Sequence, residues 1–349
     1  MNKEILEIKN LLVEYYRRKR IIPAVRNVSL TLNEGETLGI VGESGCGKST
    51  LALAILRLIQ PNEGKITAGE ILFPVTGDRL QVTSNEWVDL LKLPDEELQK
   101  IRGGKIAMIF QDPFTSLNPV IRIGEQIAET LRVHQQRAMS PALARKSGVN
   151  SEQRVKEKAV EILRQVRILE PERVYNSYPH QLSGGMQQRV MTGMAISSKP
   201  KILIADEPTT ALDVTTQKEI LELLNSLKKE LDMSIILITH NFGIIAQYTN
   251  RVAVMYAGEI VEEGETREIF SKPLHPYTSA LIRSLPKLKE TTNRLSVIPG
   301  QVPDLLNLPS GCKFHPRCEK KMDICSKEEP YLTGLNEQKV SCFLYVHKR

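Results

Sequence analysis

The stretch "ETLGIVGESGCGKST", residues 36–50, passes from a short apolar run into a glycine-rich turn that ends on a lysine and two hydroxyls. It is followed by "LALAILRLI" (Leu51 to Ile59), which reads as an apolar helix. A buried strand entering a tight turn and then a helix is the unit from which α/β folds with parallel sheets are built. Gly42, four residues, then Gly47, Lys48 and Ser49 is the spacing of a phosphate-binding loop. Gly45 and Gly47 let backbone amides turn toward phosphate oxygens, and the helix that follows aims the positive end of its dipole at them. The candidate cradle is therefore Gly42, Ser44, Gly45, Cys46, Gly47, Lys48, Ser49 and Thr50. Lys48 would offset β- and γ-phosphate charge, and Ser49 would ligate a magnesium ion. Binding of ATP or GTP follows.

A second stretch, "KILIADEP" (Lys201 to Pro208), is an apolar strand that ends in two carboxylates. Beside a phosphate-binding loop this pattern places Asp206 in the magnesium shell and Glu207 near the γ-phosphate. Glu207 could then orient and deprotonate the attacking water while lysine and metal stabilise charge on the transferring group.

Composition bounds the rest. Apolar residues at 41% and charged residues at 25% fit a globular chain and not a disordered one. A length of 349 residues suggests one large domain with a smaller appendage. "MNKEILEIKN" has charges within its first apolar stretch and no small-residue cleavage site, so no signal peptide is expected. The longest apolar run, Leu51 to Ile59, is interrupted by Arg57 and is far shorter than the roughly 20 residues of a membrane span. The formal charge of +6 is spread out except at "RRKR" (Arg17 to Arg20), which is given no function. No nucleic-acid partner is expected. A reducing compartment follows, which argues against structural disulfides.

Along the chain, "EILEIKNLLVEYY" and "VRNVSLTL" alternate as strands and suggest an antiparallel start. "PDEELQKI" places acids in the first turn of a surface helix, and "KIAMIFQ" is another strand. Charged, helix-forming text from Ile123 to Val174, including "SEQRVKEKAVEILRQV", indicates a helical subdomain. "KILIAD" and "SIILIT", separated by "TTQKEILELLNSLKKEL", predict a right-handed parallel crossover. After Glu265 the text becomes proline-punctuated, with no new long strand. The expected division is residues 1–265, with a helical part of about 112–190, and an extension over 266–349.

The discriminating text is "QLSGGMQQRV" (Gln181 to Val190). Its "LSGGMQ" resembles the signature of ATP-binding cassette (ABC) ATPases, with Met186 in place of the commoner glutamine. The resemblance implies an α/β P-loop NTPase core with an antiparallel β subdomain and a helical subdomain. It also implies a sandwich dimer, in which Ser183, Gly184 and Gly185 contact the γ-phosphate of a nucleotide held by the opposite subunit. Gln111 in "FQDP" resembles the Q-loop that links metal and water to the helical subdomain. Asp213 in "TTALD" resembles the D-loop of the dimer interface, and His240 in "ITHN" the switch histidine. On this resemblance Glu207, His240 and Gln111 are the catalytic candidates, and Ser49, Gln111 and Asp206 those for magnesium. Tyr15, 33 positions before Lys48, stands where the family has an adenine-stacking aromatic. Tyr16 is its rival, since strand alternation lets only one of the two face the site.

The separation of 135 positions from Lys48 to Ser183 leaves no room for the coiled coil of chromosome-maintenance relatives, and there is a single cassette. "MIFQDPFTSLNP", "YPHQLSGGMQQRVM", "LHPYTSALIRSLP" and "IPGQVPDLLNLPSGCKFHPRC" are similar to the ATPases of oligopeptide and dipeptide importers, a group that includes nickel and glutathione importers. "DEPTTALDV" resembles the D-type member of that group's paired subunits. The resemblance implies a peripheral ATPase at the cytoplasmic face of the membrane. Its partners would be a related F-type ATPase, two transmembrane permeases and, through them, an extracytoplasmic peptide-binding protein. A soluble ABC ATPase acting on nucleic acid or ribosomes is the alternative.

Four of the five cysteines, Cys312, Cys318, Cys325 and Cys342, fall in the extension. Four thiolates in a loop-rich segment suit a 4Fe-4S cluster or a zinc ion, and gaps of five and six residues are long for a zinc ribbon. "GCKFHPRC" with two later cysteines is similar to a 4Fe-4S motif of some peptide-importer ATPases. The cluster is the expectation, with zinc or metal-free thiols as alternatives; Cys46 is a packing residue and not a metal ligand.

Overall fold

Strand β1 (Glu4–Arg17) pairs antiparallel with β2 (Arg20–Asn33). In the computed structural model, which describes residues 3–17, 20–75, 86–138, 150–285 and 298–345, these strands open the first of two compact units. That unit comprises Met1–Leu93 and Ile236–Arg349, and the second comprises Pro94–Ile235. Arg18 and Lys19 of the basic run, and residues 76–85, lie outside the described residues.

The first sheet has the order β2-β1-β4-β5, with β4 at Gly64–Val75 and β5 at Glu86–Asp89. Leu6, Ile8, Leu11 and Val13 of β1 are all buried, which strict alternation does not allow. The register shifts between Ile8 and Leu11, where Asn10 takes φ 47°. The extra residue of this bulge returns the later apolar side chains to the core face. The Asn10 amide, displaced from the ladder, donates to Ser29 Oγ at 2.9 Å.

In the same unit β3 (Thr37–Val41), buried throughout, runs parallel to β9 (Arg251–Tyr256). A tight turn at Ala257 and Gly258, both at positive φ, joins β9 to β10 (Glu259–Glu265), as a two-residue hairpin requires. Two strands of three residues, β11 (Thr333–Leu335) and β12 (Gln338–Val340), extend this sheet through β12 and β10. They are too short to show a periodic signal in the sequence. Phe314 and Tyr277 pack with Val41, Val252, Val254 and Tyr256 in one core, their rings 5.3 and 4.6 Å from that of Tyr256. The chain beyond Glu265 therefore shares the core of the β3-β9-β10 sheet.

The second unit pairs β6 (Ile106–Ile109) in parallel with β7 (Ile202–Asp206). Its helices include Asp95–Ile101, Ile123–Ala138, Asn150–Gln165, Gly184–Ile196 and Val214–Glu230. Val155, Ala159, Leu163 and Val166, the apolar stripe read from sequence, are buried. Gly193 lets the helix it sits on approach this stripe, since a Cβ there would lie 2.9 Å from Ile162 Cγ2. The crossover helix Val214–Glu230 leads to β8 (Ser234–Thr239), whose first amide donates to the Lys201 carbonyl at 2.9 Å.

Candidate active site

In the first unit, β3 delivers the chain into the turn at Gly42, and the helix Lys48–Ile55 leaves it. A Cβ on Gly42 would lie 2.1 Å from the Met255 carbonyl oxygen, and one on Gly47, at φ 105°, 2.2 Å from that of Ala24. Both contacts are far too short for any larger residue, so the loop lies directly on the backbones of β2 and β9. Gly258 donates to the Cys46 carbonyl at 2.9 Å and ties the loop to the β9–β10 turn. Gly47 is the N-cap of the helix and has no side chain with which to cap it. That leaves the helix start suited to an anion. Lys48 is buried, and its ammonium donates to the carbonyls of Gly42 at 2.9 Å and Glu43 at 3.1 Å. Cys46 is 1% exposed, and burial pushes its thiol pKa up, which suits a packing residue.

Glu43 has partners that the sequence did not disclose. Its amide donates to the Tyr277 phenol oxygen at 3.0 Å. Its carboxylate accepts both arms of Arg317, at 2.7 and 3.0 Å. These groups are separated by more than two hundred residues, and no local spacing signals such a pair.

His240 follows β8 and is exposed; Asn241 after it caps the helix Phe242–Tyr248, accepting from Gly243 N at 2.8 Å. Tyr15 lies half-buried in β1 with its ring against Gly64, while Tyr16 is 43% exposed.

In the second unit, Asp206 is buried at the end of β7, and Glu207 follows it at φ 45°. Glu207 Oε2 accepts from Gln111 Nε2 at 3.2 Å and from Thr210 Oγ1 at 2.9 Å. The structure thus joins two of the catalytic candidates and adds Thr210, which sequence reasoning missed. The "PTT" after the carboxylates was the available signal.

Ser183 caps the helix Gly184–Ile196, its hydroxyl accepting from Met186 N at 3.3 Å. That bond uses the backbone of Met186, so it does not depend on the side chain at this position. A Cβ on Gly185 would lie 2.6 Å from Thr216 Cγ2, and the Thr216 hydroxyl donates to Asp213 Oδ2 at 2.6 Å. Asp213 caps the helix Val214–Glu230. The Thr216 hydroxyl is the first reason its carboxyl pKa is lowered, with the Thr216 amide next. Ser183, Gly184 and Gly185 are thus held next to Asp213 through one threonine. Asp206, Glu207, Gln111, Ser183 and Asp213 belong to the second unit, whereas Tyr15, the loop and His240 belong to the first.

The four late cysteines, with His275 and Phe314, line one small cavity in the first unit. Cys312 N donates to the Cys325 carbonyl at 2.8 Å, and Met322 N to Cys325 Sγ at 3.4 Å. Burial pushes the thiols of Cys312 and Cys342 up to about 11 and raises that of Cys318, with the neighbouring thiols adding to the effect.

Residues 25–210 match the ABC transporter family, and residues 261–325 match the oligopeptide/dipeptide transporter C-terminal region. The oligopeptide transport ATP-binding protein AppD of Bacillus subtilis is 44% identical, covering 98% of this chain and 97% of AppD. The dipeptide transport ATP-binding protein DppD of Haemophilus influenzae is 45% identical, covering 97% of this chain and 94% of DppD. Among solved structures, the ATP-binding cassette MJ0796, a dimer in a post-hydrolysis state bound to ADP and Pi, is similar at a TM-score of 0.60 and 32% identity. The alignment covers 75% of this chain and 99% of that one.

The expectation of a 4Fe-4S cluster is overturned. Among the described residues no group of three or more His, Cys, Asp or Glu is placed to hold a metal ion. The names of AppD and DppD mention no cluster. The physical reason is placement: the four cysteines line one cavity, yet no three of them are set around a common point from which a metal could be held.

Proposed function

The chain belongs to the ABC transporter family of ATP-binding proteins, and from that premise we propose that it energises the import of di- and oligopeptides. It is an ATPase of the ABC type. The observation that carries the peptide reading is the similarity to peptide-transport ATP-binding proteins over nearly the full length, extension included. Among the described residues no helix is long and apolar enough to cross a membrane, so transport requires membrane partners.

Those partners are a related F-type ATPase, two permeases and, on the far side of the membrane, a peptide-binding protein, with this chain peripheral at the cytoplasmic face. Residues 1–265 act as the nucleotide-binding domain, with a helical part of about 112–190 that receives the permeases. Residues 266–349 form a cysteine-containing extension.

In this reading Lys48 binds β- and γ-phosphate oxygens, and the amides of residues 42–50 cradle them. The oxygen donors Ser49, Gln111 and Asp206 form a hard set that suits magnesium, which would offset phosphate charge when bound. Glu207, oriented by Gln111 and Thr210, takes the proton of the attacking water, and His240 bonds the γ-phosphate. Tyr15 stacks on adenine. Ser183, Gly184, Gly185 and Asp213 serve the nucleotide of the opposing subunit. Closure on ATP turns the transport pathway outward, and hydrolysis resets it.

The test is ATP hydrolysis by the assembled complex in proteoliposomes with its binding protein inside. Added di- or oligopeptide should stimulate turnover, and Glu207→Gln should abolish it while ATP binding persists. Stimulation by nickel or glutathione and not by peptide would overturn the peptide reading. Normal turnover of Glu207→Gln would overturn the base.

A further inference from the structure

Glu43, the second residue of the phosphate-binding loop, is held at three points. Its amide is fixed by Tyr277, its carboxylate by the fork of Arg317, and its carbonyl accepts from the Lys48 ammonium. Arg317 is itself immobilised. It is 7% exposed, its Nε donates to the Pro299 carbonyl at 3.0 Å, and its stem lies against Gly300, whose Cβ would be 3.2 Å from Arg317 Cγ. A planar fork gripping both carboxylate oxygens fixes orientation as well as distance, which a lysine at the same place does not.

The extension does not need this pair in order to stay attached. Phe314 and Tyr277 are buried in the shared core, and Arg26 separately grips Glu329 at 3.1 Å. The Arg317 to Glu43 link, spanning 274 positions, ends instead on a loop residue whose carbonyl, with that of Gly42, holds Lys48.

We propose that Arg317 is a positioning residue for ATP binding: by clamping the Glu43 side chain while Tyr277 holds its amide, it sets the loop backbone that orients Lys48. The proposal rests on Lys48 being the phosphate-binding residue. The extension thereby contributes to nucleotide affinity without touching the nucleotide.

The test is affinity for a fluorescent ATP analogue and for ATP, by competition, on the full-length chain, with a thermal melt of each variant alongside. Arg317→Met and Glu43→Gln should each weaken binding on the order of tenfold, the usual worth of a charge-assisted hydrogen bond. The double variant should be no weaker than the worse single, because both break one link. Arg317→Lys, which keeps charge and length, should recover part of the affinity and supplies a folded variant should Arg317→Met melt too low. Unchanged affinity in folded variants, or losses that multiply in the double variant, would overturn the proposal and leave Arg317 a fastening of the extension. Lys48→Met distinguishes the premise: if it binds ATP as tightly as the parent, the phosphate-site reading fails and the proposal falls with it.

Discussion

Lys48 and His275 show how burial makes a titratable side chain depend on its few partners. The Lys48 ammonium is 5% exposed and is held by two carbonyl dipoles, which orient the charge without neutralising it. On the proposed reading, a phosphate would supply the missing charge. His275 is 1% exposed, and burial holds its pKa well below the usual 6.5, at about 3. It stays neutral with Nδ1 accepting from Tyr277 N at 3.0 Å, which caps the helix Pro276–Arg283. Because the folded-state pKa is depressed, this contribution to stability is full above 6.5 and is lost as pH falls toward 3. His275→Asn keeps a cap acceptor and cannot titrate. Its melting temperature should therefore fall less steeply than that of the parent on acidification below pH 6.5, by about one proton's worth of slope. Equal slopes would show that the imidazole is protonated in the folded protein.

At the scale of elements, several of the candidate residues of each unit sit at helix starts. Ser183, Asp213 and Asn241 each cap one, and the loop ends on a fourth at Gly47. Asn241 caps its short helix directly, since its Oδ1 accepts from Gly243 N. Asn241→Asp should leave stability unchanged within a few tenths of a kcal/mol, whereas Asn241→Ala should cost about 1 kcal/mol in urea unfolding. A neutral alanine variant would mean that water caps this short helix equally well. Strand β1 was legible as a strand from its alternation, but not its bulge. Asn10 at positive φ looks in the sequence like any polar residue, and only pairing with β2 shows that a residue has been inserted there.

For the whole molecule, the extension is part of the core and not an appendage. Ile269, Tyr277 and Phe314 bury Val254, Tyr256 and Val261 of the β9–β10 hairpin. Ending the chain at Glu265 should expose that apolar face, so the truncated protein should be insoluble or melt without a cooperative transition. A soluble truncation melting like the parent would show that these contacts add nothing. The nucleotide chemistry and the family were legible in the sequence alone. Each motif is a contiguous run whose spacing dictates its own backbone: glycines where a Cβ would strike a carbonyl, carboxylates where a strand ends, a serine where a helix begins. The partners of Glu43 and the fate of the four cysteines were decided only by tertiary structure. Residues hundreds of positions apart meet according to how distant segments fold. Whether thiols gather around one point depends on how their loops are laid against the core, and cysteine spacing carries no record of that.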